Sequence, residues 1–254
     1  MKIIINADDL GYSLDTNRAI FELMDQRKIT STTLLANGPA FEDAVKRIPS
    51  YQDFSFGVHL NITEFNSLTR PHVFYDGGII DDKGVFSGNL SKAVPTRFLK
   101  DAILQEWEQQ VKKILDNGIQ ISHLDSHHHT HTLPWLFMPL KKLQMKFGIR
   151  KVRGTFNWYH HEHQPSLGLS LRKVAWRWAL RNVYVTKTTD YFTKFDWFLT
   201  DLMDGSKDMQ RILELMCHPG HPYYPGQDYS IHEKELLWSD WTRHGIELIS
   251  YNQL

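Results

Sequence analysis

Gly118-Ile119-Gln120-Ile121-Ser122, running directly into His123-Leu124-Asp125-Ser126-His127-His128-His129-Thr130-His131, is the stretch on which the fold turns. Residues 118–122 are short, β-branched and preceded by Asn117 as a stop signal, so they read as a strand. The next nine residues hold five of the fourteen histidines and one carboxylate, the ligand types a divalent cation prefers after thiolate. Pro134 then opens a segment with Leu136, Leu140, Leu143 and Phe147 on one face, closed by Gly148, which predicts a helix. A strand, a polar loop dense in ligands and a helix form the unit in which α/β proteins place their chemistry. A histidine run can also be a tag or a solvated loop, but this one lies mid-chain between two regular elements. Five histidines cannot all hold one ion that also needs open positions for water and substrate.

Toward the N-terminus, Lys2 to Asn6 reads as a buried strand leading at once into Ala7-Asp8-Asp9-Leu10-Gly11. Adjacent carboxylates at a strand end repel each other and lose hydration. They are tolerated where a cation neutralises one and the other serves as a base. The competing reading, that one of them caps the next helix, is weakened because Ser13 and Asp15 already offer caps for the helix carrying Ala19, Ile20, Leu23 and Met24. Ile29 to Leu35 is a second strand, and a helix with Phe41, Ala44, Val45 and Ile48 follows it. Phe54 to Val58 is a third strand ending in His59-Leu60-Asn61. If strands and helices alternate, His59 shares a strand-end rim with Asp8, Asp9 and His127. Residues 63–96 form an irregular insertion, read as a lid or binding loop. Leu104, Trp107, Val111 and Ile114 mark an amphipathic helix, with Trp107 read as core.

Toward the C-terminus, Arg150 to Thr155 reads as a fifth strand bearing Arg153, which among acids would hold a carboxylate ionised and on the rim would be solvated. Residues 156–190 are a second insertion with Trp158, Tyr159, His160, His161, His163, Trp176, Trp178 and Tyr184; aromatics at helical spacing usually pack. Tyr191–Phe195, Ile212–Cys217 and Glu247–Tyr251 complete eight candidate strands, the seventh ending in His218-Pro219-Gly220-His221. The expectation is an α/β chain folded as a single TIM-like (β/α) barrel domain over 1–254, regular or irregular, with insertions near 63–96 and 156–190.

At 254 residues and 41% hydrophobic content, the chain can build one such barrel. Zero formal net charge gives no electrostatic reason to expect a nucleic-acid or membrane partner. The lone Cys217 excludes a disulfide framework and a cysteine-rich zinc site. No apolar run is long enough to span a bilayer, and the N-terminus lacks a signal-peptide core, so a cytoplasmic protein is expected. A homodimer is compatible with the sequence.

A carboxylate and two imidazoles on one ion leave positions for water and a carbonyl oxygen, the requirement of metal-assisted hydrolysis. A second carboxylate can take the water's proton, and a histidine on the opposite side can protonate the leaving group. His218 stands where that acid is needed.

Asn6-Ala7-Asp8-Asp9-Leu10-Gly11, Gly57-Val58-His59-Leu60-Asn61, the run from His123 to His131, and Met216-Cys217-His218-Pro219-Gly220 together resemble the ordered motifs of the YdjC-like carbohydrate deacetylases, which include chitooligosaccharide deacetylases. The resemblance covers nearly the whole chain. It implies a barrel related to those of the polysaccharide deacetylases. It also implies hydrolysis of N-acetyl groups on amino sugars or short oligosaccharides, with release of acetate. Carried over, it makes Asp8 the catalytic base, His218 the acid, and Asp9, His59 and His127 the ligands of one divalent ion. That ion would be magnesium or zinc, with manganese or cobalt as alternatives. The related polysaccharide deacetylases draw both histidine ligands from one His-x-x-x-His turn, so His131 is a reserve ligand. Arg153 and Asn61 are kept with it as substrate-binding residues or further reserves.

Two other readings are carried beside this one. The His127-x-His129 pair is an element of metal phosphoesterase and amidohydrolase barrels, though these carry it on the first strand and tend to bind more than one metal. A non-catalytic carbohydrate-binding regulator is the third, and it has no use for the extra carboxylate of Asp8.

Overall fold

The computed structural model describes residues 1–88, 90, 93–157, 166–194, 198, 211–222 and 245–254. The expected aromatic and histidine positions Trp158, Tyr159, His160, His161 and His163 lie outside them.

Alternation within the first strand sets the architecture. In β1 (Lys2–Leu10), Ile3, Ile5 and Ala7 enter the main core, while Ile4 packs with Ile249 and Tyr251, and Asn6 bonds Asp8 on the opposite face. A strand buried on both sides belongs at the centre of a parallel sheet. The following α1 (Leu14–Asp25) is capped by Ser13, whose side chain accepts from Thr16 N–H, and it buries Ile20, Phe21, Leu23 and Met24. The cap is supplied outside the acid pair, so Asp8 and Asp9 are left for other work.

The remaining strands are β2 (Ser31–Leu34), β3 (Ser55–Leu60), β4 (Ile121–Ser126), β5 (Tyr191–Lys194), β6 (Ile212–Cys217) and β7 (Glu247–Leu248). They are interleaved with α2 (Phe41–Arg47), α3 (His72–Asp76), α4 (Arg97–Asp116), α5 (Phe137–Phe147) and α6 (Leu167–Asn182). All the strand pairs are parallel, in the order β4-β3-β2-β1-β6-β5, with β7 beside the start of β1. Trp107 of α4 is fully buried, as expected of a core residue. Gly148 ends α5 in the left-handed conformation (φ 70°), the role read for it in the sequence.

Two expectations need correction. The described sheet has seven strands, not eight, because residues 150–155 form no continuous ladder. Val152 pairs with Leu124 on one side and Lys151 with Lys187 on the other, and Asn157 then pairs with Phe192 of β5. The segment steps from neighbour to neighbour, so it joins the β4 and β5 edges of the sheet without becoming a strand. The result is an α/β fold in keeping with an irregular barrel. The second correction concerns β4, which runs three to four residues later than the sequence suggests. Gly118 (φ 75°) turns the chain after α4, and the ladder to β3 pairs Leu124 with Val58, Asp125 with His59 and Ser126 with Leu60. His123 and Asp125 are therefore strand residues on one face, with Leu124 in the core.

Candidate functional site

Adjacent residues of a strand point to opposite faces, so Asp8 and Asp9 cannot both face the interior of a regular β1. The backbone resolves this locally. Between Ala7 and Leu10 the register with β2 slips, Ala7 pairing Thr32 and Leu10 pairing Leu34, and Asp9 adopts a left-handed φ of 69°. A bulge re-aims the side chain, and aspartate is among the few residues that tolerate this conformation. Both carboxylates are buried.

Asp9, His59 at the end of β3 and His127 just after β4 converge, with ligand atoms all within 4.8 Å of one another. Asp9 Oδ1 lies 3.2 Å from His59 Nε2 and 2.9 Å from His127 Nδ1. Asp125 supports the set from behind: its Oδ1 is 2.7 Å from His59 Nδ1, and Thr33 donates to its Oδ2 at 3.0 Å. A His59 that donates Nδ1–H to Asp125 presents the Nε2 lone pair to Asp9, the outer-shell arrangement that orients metal-binding imidazoles. His127 is aimed by backbone strain, since His128 and His129 are both left-handed (φ 51° and 53°).

The donor set fits a divalent cation. Asp9 Oδ2 is buried without a hydrogen bond; its nearest imidazole nitrogens, His221 Nε2 and His218 Nε2, are 3.6 and 3.9 Å away. The charge inventory points the same way, for the carboxyls of Asp8, Asp125 and Glu214 are buried around the single guanidinium of Arg153, and that of Asp9 is buried among histidines. Buried like charges demand a counter-charge. Without an ion, a proton supplies it. Burial alone would lower His59, but Asp125 and Asp9 overrule it and push the imidazole up to about 10. Burial would raise Asp9, yet His59 and His127 hold it well below the usual carboxylate range.

Arg153, fully buried, is where the acids meet. Its terminal nitrogens donate to Asp8 Oδ2 at 2.7 Å and Oδ1 at 2.6 Å, one of them also lies 2.9 Å from Asp125 Oδ2 as an ion pair, and its Nε donates to Glu214 Oε1 at 2.8 Å. The bidentate grip fixes the plane of the Asp8 carboxylate. Burial would raise Asp8, but the guanidinium outweighs it and keeps the group ionised far below its ordinary range. Glu214 is left with the smaller share of that charge, and burial pushes it up to about 7. Its other oxygen accepts from Tyr251 O–H, and the Tyr251 ring stacks on His123 at 3.5 Å.

The other expected residues fall into two groups. His218, after β6, joins the cluster with Nε2 at 3.8 Å from Asp8 Oδ2. His131 does not join it. The left-handed residues between break the helical turn that would align positions 127 and 131, and its Nδ1 lies 2.6 Å from Ser126 Oγ instead. Asn61 organises the loop after β3: its Oδ1 accepts from the N–H groups of Thr63 and Glu64, and its Nδ2 donates to Glu64 O and Asn37 Oδ1. Sequence reasoning counted Asp125 as the carboxylate of the ligand-rich run without giving it a role, and passed over Glu64, Glu214 and Tyr251. Glu214 carried a signal, a charge inside the otherwise apolar run Ile212–Cys217; Tyr251 carried none.

Among the described residues no helix is long and apolar enough to cross a membrane. Comparison with known proteins agrees with the geometry. The chain is 33% identical over 265 residues to a carbohydrate deacetylase of Vibrio cholerae, covering 100% of this chain and 96% of that one. It is 29% identical over 223 residues to a carbohydrate deacetylase of Halalkalibacterium halodurans, covering 87% and 86%. A crystal structure from Enterococcus faecalis V583, of a protein provisionally named for cellobiose-phosphate cleavage, superposes with a TM-score of 0.77 at 21% identity, over 99% of this chain and 98% of that one, and so shares the fold. The sequence profile described as YdjC-like protein matches residues 2–247, and with these relatives it places the chain in the YdjC-like family.

Proposed function

We propose that residues 1–254 form one catalytic domain, a metal-dependent carbohydrate N-deacetylase that hydrolyses N-acetyl groups of amino sugars or short chitooligosaccharides to free amine and acetate. The observation that carries this reading is the convergence of Asp9, His59 and His127 beside an ionised Asp8, with His218 across the same mouth. The family membership and the relatives named carbohydrate deacetylase support it.

In this reading Asp9, His59 and His127 hold the ion, and Asp125 orients His59. When bound, the ion polarises the acyl oxygen and acidifies a water. Asp8 receives the proton of the attacking water. Arg153 fixes the plane of the Asp8 carboxylate and keeps it ionised, so that it can accept this proton and release it to solvent. His218, 3.8 Å from Asp8, then protonates the departing nitrogen, without which the amine cannot leave. Arg153 is a positioning residue for Asp8 and does not reach substrate.

Two imidazoles and one carboxylate favour zinc, cobalt or manganese over magnesium, which prefers oxygen ligands; magnesium stays in the comparison because the sugar hydroxyls and waters of a complex supply oxygens. A cytoplasmic setting and a homodimer belong to the same proposal.

The test is acetate release from diacetylchitobiose and other N-acetylated sugars by metal-loaded protein, with and without chelator. Turnover abolished by chelation and restored by one of these ions is the expected result; no turnover on any such sugar after loading refutes it. Asp8→Asn is expected to bind the ion with affinity near that of wild type and to lose turnover by about 10²–10⁴-fold, the share of a general base. Equal activity in that variant removes Asp8 from the mechanism.

A further inference from the structure

The His127 ring has two faces to its chemistry, and the inner centre uses one of them. Its Nδ1 points at Asp9, while its Nε2 is buried, has no hydrogen-bond partner and lies 3.6 Å from Glu64 Oε2. The other oxygen of Glu64 is 3.8 Å from His128 Nε2. The ligand atoms of Glu64, His127 and His128 all fall within 4.8 Å of one another, as those of the inner three do.

The structure around them behaves like the support of a ligand set. His128 Nδ1 is 3.0 Å from Thr63 Oγ1, so a ring that donates Nδ1–H to that hydroxyl presents its Nε2 lone pair to Glu64. The left-handed backbone of His128 keeps its ring beside that of His127, tilted by 37° with centroids 4.1 Å apart. Glu64 is pinned through its backbone, its N–H bonding Asn61 Oδ1 and its carbonyl accepting from Asn61 and Asn37. A left-handed backbone at two successive histidines is costly to hold for no ligand.

We propose that Glu64, His127 and His128 form a second divalent-cation site, of the zinc class, on the rim of the mouth. Two imidazoles and one carboxylate with solvent access make a three-ligand set open to water, which suits zinc, cobalt, nickel or copper and disfavours magnesium. The site differs from the paired centre of two-metal hydrolases, whose ions sit about 3.5–4 Å apart. Here the shared ligand is a ring that holds its two ions on opposite nitrogens. A neutral imidazole has a single lone pair, so with an ion on Nδ1 a second ion on Nε2 must displace that nitrogen's proton to solvent and leave a bridging imidazolate, which is why filling the inner centre weakens the rim.

The site rests on the inner-centre reading only for that coupling, and zinc titration of the metal-free full chain by calorimetry separates the two. Wild type is expected to take up zinc in two steps of unequal affinity, magnesium in at most one. Glu64→Gln and His128→Asn, both at positions exposed enough to change without refolding, are expected to weaken the second step about 10–100-fold and spare the first. Thr63→Val is expected to weaken the second step less. Asp9→Asn is expected to abolish the tight step and leave the rim step. A single step in wild type, or two steps unchanged in the Glu64→Gln/His128→Asn double variant, overturns the rim site. Two steps unchanged in Asp9→Asn overturns the inner centre instead.

Discussion

Single side chains set the electrostatics of this mouth, and Asp125 is the least conspicuous of them. It is not one of the three expected ligands and is fully buried, yet it orients His59 at 2.7 Å and shares Arg153 with Asp8. Asp125→Asn turns an acceptor into a half-donor facing Arg153 and Thr33. The expected outcome is a folded protein whose metal affinity falls about 10–100-fold, measured by competition with a chromophoric chelator; wild-type affinity would show that His59 needs no orientation. Glu214 yields a pH prediction. Its folded value of about 7 lies above its ordinary 4.5, because burial and the neighbouring acids outweigh Arg153. A raised carboxyl binds more protons folded than unfolded. The stability it contributes is thus complete below 4.5 and is lost as pH rises through 7. The stability of wild type relative to Glu214→Gln should fall between pH 4.5 and 7.5 by on the order of 2–3 kcal/mol, since each tenfold difference in proton affinity is worth about 1.4 kcal/mol. Urea melts of both proteins across that window measure it, and a flat difference contradicts it.

At the scale of elements, what was legible in the sequence was what periodicity and punctuation encode. Ser13 and Gly148 bound their helices as read, and the chain order of Asp8, Asp9, His59, His127 and His218 along successive strand ends anticipated their meeting. What was not legible depends on backbone conformation that no local pattern announces. The bulge that turns Asp9 inward is one case, and the left-handed pair at 128–129 that separates His131 from His127 is another. The failed strand at 150–155 is a third, where a short basic run around Val152 is shared between two neighbours. Gly57 illustrates how tightly β3 and β4 are matched. A Cβ there would lie 2.5 Å from His123 Cε1, and that ring is held by Ser122 Oγ at 2.7 Å and by the Tyr251 stack. Gly57→Ala gains strand propensity but overpacks a ring that cannot yield, so a loss of about 1–3 kcal/mol is expected in chemical denaturation. Gly168→Ala in α6, where the added methyl meets nothing within 4 Å, should instead gain up to about 1 kcal/mol. Equal effects at the two sites would show that packing against His123 is not what excludes a side chain from position 57.

Across the whole molecule, the parallel strands carry their charges to one end and close the other. The C-terminal turn crosses the closed end: Tyr251 N–H bonds Ser31 Oγ, Asn252 N–H bonds Ser55 Oγ, and Lys151 Nζ reaches the Tyr251 carbonyl. The N-terminal amine bonds Gly245 O, so both chain ends tie into the same base. At the open end the three inner ligands come from β1, β3 and the turn after β4, elements linked in the sheet but distant in sequence. An unfolded chain has no such site, so an ion bound there stabilises the folded state by RT ln(1 + [ion]/Kd), about 2.7 kcal/mol at a hundredfold excess over Kd. For a chain of this size that is about 5–10 °C in melting temperature. The rim site would add to the shift with zinc, so the measurement belongs in the Glu64→Gln/His128→Asn background. There, zinc should raise the melting temperature, chelator should reverse the rise, and Asp9→Asn should abolish it. Asn tolerates the left-handed backbone as aspartate does, so the lost shift reports the ligand and not the turn. A shift that survives Asp9→Asn in that background would mean that zinc is held elsewhere, and the convergence of β1, β3 and β4 would then be a charge cluster without an ion.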